Sequence, residues 1–343
     1  MKTKMLDECL SAPATVARQL AADQGAYAAL GEALRRQPPA SLLTVARGSS
    51  DHAAHYLAYL VMAKLGRLVT SLPMSLITLY QSKIAAEGLL SFAFSQSGQS
   101  PDLVAPTRYF SEHGARTVAF VNAEGSPLAA AAQHVFPLHA GPEQSVAATK
   151  SYIAQLVAGA RVVAAWSEDQ DLQAALQALP EVLERAAQAG VERWGVAVDA
   201  LKGADKLFVI GRGTSLAVAM EAALKFKETC GIQAEAFSGA EVKHGPMALV
   251  DEGYPMLVFA PRGPAQAGLI ALAEEMRGRG ARVLLAAPEG TPGAELPLVC
   301  SGNEELDPIA AVQSFYPMVE ALARARGLNP DQPRHLAKVT KTH

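Results

Sequence analysis

The 343-residue sequence has no apolar run long enough to cross a bilayer. A membrane-spanning helix needs roughly 20 consecutive apolar residues, and no stretch approaches that length. Asp7 and Glu8 interrupt the amino terminus, so no signal peptide is predicted either. Cysteine is also scarce. The three cysteines, Cys9, Cys230 and Cys300, are widely separated and form no CxxC pair. This pattern is typical of a reducing compartment, and we expect a cytoplasmic protein.

The sequence also lacks a surplus of positive charge, a nucleotide-binding motif and a set of metal ligands. The formal net charge of -3 gives no basic surplus for nucleic acid, so no nucleic-acid partner is expected. No GxxxxGK[ST] loop is present, which disfavours a nucleotide. His52 and His55 are three residues apart, but no Glu or Cys completes a zinc set around them. With these classes disfavoured, the sequence indicates a protein that acts on a small molecule without a metal ion.

The main feature that is present is an internal repeat. Residues 46–50 (ARGSS) match residues 211–215 (GRGTS) at an offset of 165, and Gly66 matches Gly231 at the same offset. Further along, Phe94 and Gly98 match Phe259 and Gly263, and residues 114–116 match 280–282 with one residue inserted. A repeat of this length predicts two similar domains.

Each copy alternates short apolar runs with helical patterns. The apolar runs are residues 42–46, 89–94 and 117–121 in the first copy and 207–210, 256–260 and 283–287 in the second. Strands that alternate with helices indicate parallel sheets covered on both faces. We predict an α/β fold with two doubly wound domains, at 39–165 and 197–325, flanked by a helical segment at 1–38, a helical linker at 166–196 and a tail at 326–343.

The loop after the second apolar run of the first copy predicts a phosphate site. Its sequence, residues 95–102 (SQSGQSPD), places hydroxyls and a glycine directly before a helix that starts with proline. A helix N-terminus offers unpaired N–H groups and a positive dipole end, which suit a phosphate. The second copy has residues 260–264 (APRGP) there and lacks the hydroxyls. An ordinary capped loop is the alternative interpretation.

Charged residues appear on one helix of the second copy only. Glu221, Lys225 and Glu228 share one helix face, whereas the first copy has Tyr56, Leu60 and Ala63 at the matching positions. The rest of this helix is strongly apolar, which suggests that it is buried. A buried carboxylate can have the raised pKa of a general base. The alternative is a solvated face with an i,i+4 ion pair.

A histidine follows in the loop of residues 241–246 (EVKHGP). His244 stands among charged neighbours and is free to titrate near neutrality, as an acid–base group must. A surface histidine without a role is the alternative.

Six motifs in order make the sequence resemble the sugar isomerase (SIS) domain family. They are ARGSS at 46–50, SQSG at 95–98, AGPE with VAATK at 140–150, the helix at 221–228, EVKHGP at 241–246 and DQPRHLAK at 331–338. Within that family, the sequence resembles the isomerase half of glutamine-dependent glucosamine-6-phosphate synthase and the SIS-type glucosamine-6-phosphate deaminases. The resemblance implies two flavodoxin-like SIS domains, no cofactor, and a homodimer with a shared active site.

The resemblance also implies a role for individual residues. Glu228 would move the proton between carbons 1 and 2, His244 would open the sugar ring from a neighbouring subunit, and Lys338 would reach the carbonyl or amine. The implied substrate contacts are Ser49, Ser50, Ser95, Gln96, Ser97 and Ser100 at the phosphate, Val146 and Ala148 at the sugar, and Glu221 and Lys225 on the catalytic helix. Aldose–ketose exchange requires an opened ring, a base near carbon 2 and a cation near the oxygen or nitrogen that gains electron density. The implied roles of these residues meet those requirements.

Departures from the synthase pattern indicate the direction of the reaction. The sequence begins where the isomerase half would begin, so we expect no glutaminase and no internal ammonia source. Gln99 replaces an acidic residue of the synthase, and Gln233 replaces a histidine. The expected reaction is therefore glucosamine 6-phosphate plus water giving fructose 6-phosphate and ammonia.

Three other functions remain open. One is a synthase-like isomerase without a glutaminase, and another is a deglycase or isomerase of a galactosamine or fructosamine 6-phosphate. The third is a sugar-phosphate sensor without catalysis. A sensor would not need Glu228, His244 and Lys338, and the first 36 residues contain Pro13 and lack the basic recognition helix of a DNA-binding regulator.

Overall fold

The computed structural model describes residues 2–338, and the chain divides into two units. The first-sheet unit comprises residues 14–143, 150–173 and 337–338. The second-sheet unit comprises residues 2–13, 144–149 and 174–336. Short segments near both termini and around residue 146 thus belong to a different unit from their chain neighbours.

Helices and strands alternate along the chain. Up to residue 137 they are α1 (Lys4–Leu10), α2 (Ala12–Ala21), α3 (Gln24–Arg36), β1 (Ser41–Val45), α4 (Ser49–Leu65), β2 (Val69–Ser71), α5 (Ser75–Thr78), β3 (Leu89–Ser95), α6 (Pro101–Glu112), β4 (Arg116–Val121), α7 (Pro127–Ala131) and β5 (His134–Pro137). They continue with α8 (Lys150–Ser167), α9 (Gln170–Arg193), α10 (Gly195–Leu201), β6 (Lys206–Gly211), α11 (Ser215–Cys230), β7 (Gln233–Ser238), β8 (Pro255–Phe259), α12 (Gln266–Gly278), β9 (Arg282–Pro288), β10 (Leu296–Leu298) and α13 (Asp307–Ala325). Short 3-10 turns lie at Glu241–Lys243, Pro246–Leu249 and Glu304–Leu306.

Each unit contains one five-stranded parallel sheet. The strand order is β2-β1-β3-β4-β5 in the first and β7-β6-β8-β9-β10 in the second, so the two sheets have the same topology. Parallel strands need crossover connections, which the helices α4 and α6 supply in the first copy and the helices α11 and α12 supply in the second. This confirms the predicted fold of two doubly wound parallel sheets.

The central strands are buried because their side chains are almost continuously apolar. In the first sheet the ring of Phe120 packs against Phe92 and Phe94, with centroids 5.8 and 4.7 Å apart. In the second, Phe208 packs against Tyr254 at 4.8 Å. Burial of one such ring stabilises the fold by about 1.5–3 kcal/mol.

The matched glycines end matched helices. Gly66 follows α4 and Gly231 follows α11, each with φ of 62°. Their N–H groups donate to the carbonyls of Met62 and Phe226 and close the last turn. A side chain in this left-handed conformation costs about 1–2 kcal/mol, which explains glycine at both positions.

The outer strands β2, β5, β7 and β10 were not predicted. β2 (VTS) is half-exposed or exposed, and β7 (QAEAFS) carries polar residues on a partly open edge. An edge strand gains much of its order from pairing with its neighbour, so its sequence need not be apolar. Within the described residues, no helix has both the length and the apolar character required to traverse a membrane.

Candidate active site

The predicted phosphate loop lies at the carboxyl end of β3 and continues into α6. Ser95 Oγ accepts a hydrogen bond from the N–H of Gly98 at 2.9 Å, and Ser97 Oγ accepts one from the N–H of Gln99 at 3.3 Å. Gly98 has φ of 64°, and a Cβ there would overlap Ser126 Oγ. Only glycine therefore fits this turn, which leads directly to the N-terminus of α6.

Ser49 and Ser50 begin α4, on the loop that leaves the adjacent strand β1. The strands β1 and β3 are neighbours, with Val45 paired to Ala93, so the loops that follow them lie at one sheet edge. Ser50 Oγ accepts a hydrogen bond from Gln155 Nε2 of α8 at 2.9 Å. The first-sheet unit thus gathers the predicted phosphate contacts Ser49, Ser50, Ser95, Gln96, Ser97 and Ser100 at one edge.

The matching loop of the second sheet is held differently. Arg262 Nε donates to Asp307 Oδ2 at 2.7 Å and its Nη2 donates to Ser301 O at 2.7 Å. The carboxylate of Glu304 stands 3.7 Å from the position of a Cβ on Gly263. The arginine of this loop is therefore paired with other groups of the second-sheet unit, whereas the first copy has hydroxyl groups in the corresponding loop.

Three charged side chains contact one another along the predicted catalytic helix α11. Lys225 Nζ lies 3.0 Å from Glu221 Oε1 and 2.7 Å from Glu228 Oε2. Tyr316 of α13 donates to Glu221 Oε1 at 3.2 Å. Burial acts to lower the pKa of Lys225, but the Glu221 and Glu228 carboxylates outweigh it and raise that pKa above its usual range.

The three charged side chains differ in how far they are exposed to solvent. The side chains of Glu221 and Lys225 are 0% exposed, whereas Glu228 is 20% exposed. Glu221 and Lys225 were expected to contact substrate, but in the structure they are buried against each other, and Lys225 also contacts Glu228. Glu228 faces a cavity of about 270 Å³ that is also lined by Thr229, Asn329, Gln332, Arg334 and His335. It is the one of the three that solvent or substrate can reach.

His244 lies between two 3-10 turns after β7, and its side chain is exposed. Its N–H donates to the carbonyl of Glu241 at 2.9 Å, which closes the first turn. The adjoining Gly245, with φ of 137°, leads into the second turn. The loop therefore presents the imidazole at the surface of the second-sheet unit.

Lys338 is held in the first-sheet unit by a residue to which the sequence assigned no role. Its Nζ lies 3.0 Å from Glu143 Oε2. Glu143 is buried and also accepts hydrogen bonds from Ser151 N and Ser151 Oγ, at 3.1 and 2.6 Å. Glu143 closes the AGPE motif, but only the folded chain brings it to Lys338, 195 residues away. Residues 339–343 of the predicted tail lie outside the described residues.

The segment with Val146 and Ala148 is held by α1 in the second-sheet unit. Glu8 accepts hydrogen bonds from the N–H groups of Gln144 and Ser145. The N–H of Val146 donates to Asp331 O at 3.2 Å. Val146 and Ala148 remain half-buried, whereas the alternate residues are buried. This arrangement turns the two predicted sugar contacts toward one side of the segment.

Within the described part of the chain, no group of three or more His, Cys, Asp and Glu side chains could hold a metal ion. His52 and His55 lie on α4, where burial lowers the pKa of His55.

The repeated parallel sheets, the hydroxyl-rich loop and the charged helix define a sugar isomerase domain protein. The chain belongs to the SIS domain family, whose model matches residues 36–165 and 200–288.

Among proteins of known name, the chain is similar to glutamine–fructose-6-phosphate aminotransferases (isomerizing). The enzyme of Thermus thermophilus is 34% identical over 326 residues, which cover 90% of this chain and 53% of that protein. The enzyme of Aeropyrum pernix is 36% identical over 317 residues, which cover 87% and 50%. The chain thus spans about half the length of the curated relatives it matches.

Solved structures show the same fold. A candidate phosphosugar isomerase of Silicibacter pomeroyi is 44% identical, with a TM-score of 0.90 over 96% of this chain and 100% of that one. The glucosamine-6-phosphate deaminase of Thermotoga maritima is 20% identical, with a TM-score of 0.79 over 99% and 100%. At 20% identity the second similarity shows the fold alone.

Proposed function

We propose that this protein is an enzyme that converts an amino-aldose 6-phosphate into its keto-sugar. Specifically, we propose a deaminase that converts glucosamine 6-phosphate and water into fructose 6-phosphate and ammonia. The observation that carries the proposal is the partly exposed Glu228 carboxylate, held at 2.7 Å by the buried Lys225. The names of the relatives, which concern fructose 6-phosphate and phosphosugar isomerisation, support the substrate class.

The proposed mechanism begins with the opening of the sugar ring. His244, from a neighbouring subunit, opens the ring, and the loop after β3 holds the 6-phosphate. Glu228 removes the proton from carbon 2 and returns it to carbon 1, while the carbon 1 oxygen gains a proton and the amine loses one. The 2-amino aldose thereby becomes a 2-imino sugar with a hydroxyl on carbon 1. Water then hydrolyses the imine, so that the oxygen stays on carbon 2 as fructose 6-phosphate and the nitrogen leaves as ammonia.

Lys338 supplies positive charge near the reacting carbons in this proposal. A cation stabilises the oxygen or nitrogen that gains electron density when the carbon 2 proton leaves. Gln99 and Gln233, which depart from the synthase pattern, favour deamination over the aminotransferase reaction. The second candidate is an isomerase that uses ammonia in the opposite direction, since the matched aminotransferases share over a third of aligned residues with this chain.

The experiment measures ammonia and fructose 6-phosphate release from glucosamine 6-phosphate by the purified protein. Glu228→Gln should lower kcat by at least about 100-fold, because a positioned base contributes roughly 10²–10⁴-fold. Glu181→Gln, an exposed glutamate on α9, is the matched control and should keep full activity.

Other outcomes would replace the proposal. Turnover of fructose 6-phosphate with ammonium but not of glucosamine 6-phosphate would favour the second candidate. Turnover only of galactosamine or fructosamine 6-phosphate would change the substrate. Binding of sugar phosphates without any turnover would make the protein a sensor.

A further inference from the structure

The proposed phosphate loop contains no positive side chain. Residues 95–100 contribute serine hydroxyls, glutamine amides and backbone N–H groups. A sugar phosphate carries close to two negative charges at neutral pH, and hydrogen bonds from neutral groups compensate only part of that charge. A cation on a neighbouring loop would complete such a site.

Arg47 is placed to be that cation. It follows β1, whose neighbour β3 leads into the phosphate loop. Its Nε donates to Asp102 Oδ2 at 3.0 Å, and Asp102 is the second residue of α6. The guanidinium is therefore tied to the first turn of the helix whose N-terminus receives the loop.

The contact with Asp102 holds only one edge of the guanidinium. The Arg47 side chain is 59% exposed, whereas Asp102 is 3% exposed. Within the described residues, neither terminal nitrogen of Arg47 has a hydrogen-bond partner. A planar guanidinium held in this way presents two terminal nitrogens, the geometry that binds phosphate oxygens in pairs.

We infer that Arg47 binds the phosphate of the substrate, with Asp102 holding its side chain in place. This inference rests on the proposed function. The second copy supports it by contrast: Arg212 matches Arg47 at the offset of 165, but Ala267 stands where Asp102 would be. Arginine is thus kept in both copies, and its acidic partner occurs only beside the hydroxyl-rich loop.

A different role for Arg47 makes a different prediction. Arg47 could serve only to neutralise the buried Asp102 carboxylate, which would otherwise repel a phosphate. In that case, removal of the Asp102 charge would make Arg47 dispensable. If Arg47 itself binds phosphate, its loss weakens binding whether or not residue 102 is charged.

The experiment measures binding of glucose 6-phosphate by calorimetry and kinetics with glucosamine 6-phosphate. Arg47→Ala should weaken binding about 10- to 100-fold, the range for loss of hydrogen bonds to a charged group. KM should rise with little change in kcat, because the phosphate does not change during isomerisation. Arg47→Lys should recover part of the loss, and the matched control Arg212→Ala should bind like the wild type.

The decisive comparison is made in an Asp102→Asn background. There, Arg47→Ala should still weaken binding at least about tenfold relative to Asp102→Asn alone. An effect of Arg47→Ala that disappears in this background, or that is no larger than the effect of Arg212→Ala, would overturn the inference. A wild-type protein that binds no sugar phosphate would instead overturn the proposed function, so the two failures are distinguishable.

Discussion

At the scale of single residues, Lys225 balances the charge of two carboxylates in the second-sheet unit. It neutralises Glu221, which is fully buried, and positions Glu228, which is not. Two carboxylates and one ammonium lie within hydrogen-bond distance, and Tyr316 supplies a further donor to Glu221. A buried pair of this kind contributes little net stability while it is intact, but removal of one partner leaves an uncompensated charge.

We therefore predict that Lys225→Met lowers the free energy of unfolding by about 3–5 kcal/mol. Urea denaturation of the two proteins measures the difference. Lys227→Met, two residues away and exposed, is the matched control and should change stability by less than about 0.5 kcal/mol. Equal effects of the two substitutions would mean that the charges on α11 are not coupled as described.

The raised pKa of Lys225 fixes the pH range in which this contribution persists. A lysine whose pKa is higher in the folded than in the unfolded state stabilises the fold fully below the unfolded value of about 10.4. The stabilisation is lost only as the pH rises through the folded value. The contribution of Lys225 should thus stay constant between pH 6 and about pH 9, and the Lys225→Met difference should not change there.

At the scale of elements, the short helix α1 joins segments that are far apart in sequence. The Asp331 carboxylate accepts hydrogen bonds from the N–H groups of Lys4 and Met5, at 2.9 and 2.8 Å. Glu8, on the same helix, accepts hydrogen bonds from the N–H groups of Gln144 and Ser145. A seven-residue helix is not stable alone in water, so these contacts determine whether α1 forms.

We predict that Asp331→Ala exposes the first turn of α1 to solvent exchange. Loss of a capping carboxylate costs about 1–2 kcal/mol, which corresponds to roughly 5- to 30-fold faster exchange of the Lys4 and Met5 amides. Hydrogen exchange followed by mass spectrometry measures the rates. Asp7→Ala removes an exposed carboxylate of the same helix and should leave both amides protected.

Unchanged protection in Asp331→Ala would contradict this role of Asp331. Faster exchange in both variants would show that α1 responds to its total charge rather than to the contact with Asp331.

At the scale of the whole molecule, two copies of one sheet have acquired different site residues. The strand order and the helix-ending glycines match between the copies. The hydroxyl-rich loop occurs only in the first copy, and Glu221, Lys225 and Glu228 only in the second. Duplication of a fold followed by separate change in each copy accounts for this difference between the two copies.

The proposal of a homodimer with a shared site is also made at this scale. His244 is exposed on its own unit, as a residue that serves a neighbouring subunit would be. We expect His244→Ala and Glu228→Gln to be inactive when each is purified alone. Co-expressed and mixed in one dimer, each chain supplies the residue that the other lacks, so about a quarter of wild-type activity should return.

Two inactive variants that remain inactive when co-expressed would place His244 and Glu228 of one site on the same chain. Size-exclusion chromatography of the co-expressed protein must show a dimer for this comparison. A monomer with full activity would rule out the shared site.

The fold was predictable from the sequence because its central strands and helices carry strong local signals. Apolar runs marked β1, β3 and β4 and their counterparts to within one or two residues. The residues grouped on one face of α11 followed from helical periodicity alone. The outer strands were missed because pairing with β1, β4, β6 and β9, rather than their own composition, gives them order.

The candidate site was only partly predictable for the same reason. Chemistry that resides in one segment, such as the serines of the phosphate loop or the charges of α11, can be read from residue type and spacing. Glu143 beside Lys338 and Asp102 beside Arg47 join residues 195 and 55 positions apart, which no local pattern reports. Sequence therefore determined the repeat, the sheets and the types of reactive group. Tertiary structure decided which charges are paired and which one is exposed, because burial and ion pairing depend on segments that meet only in the folded chain.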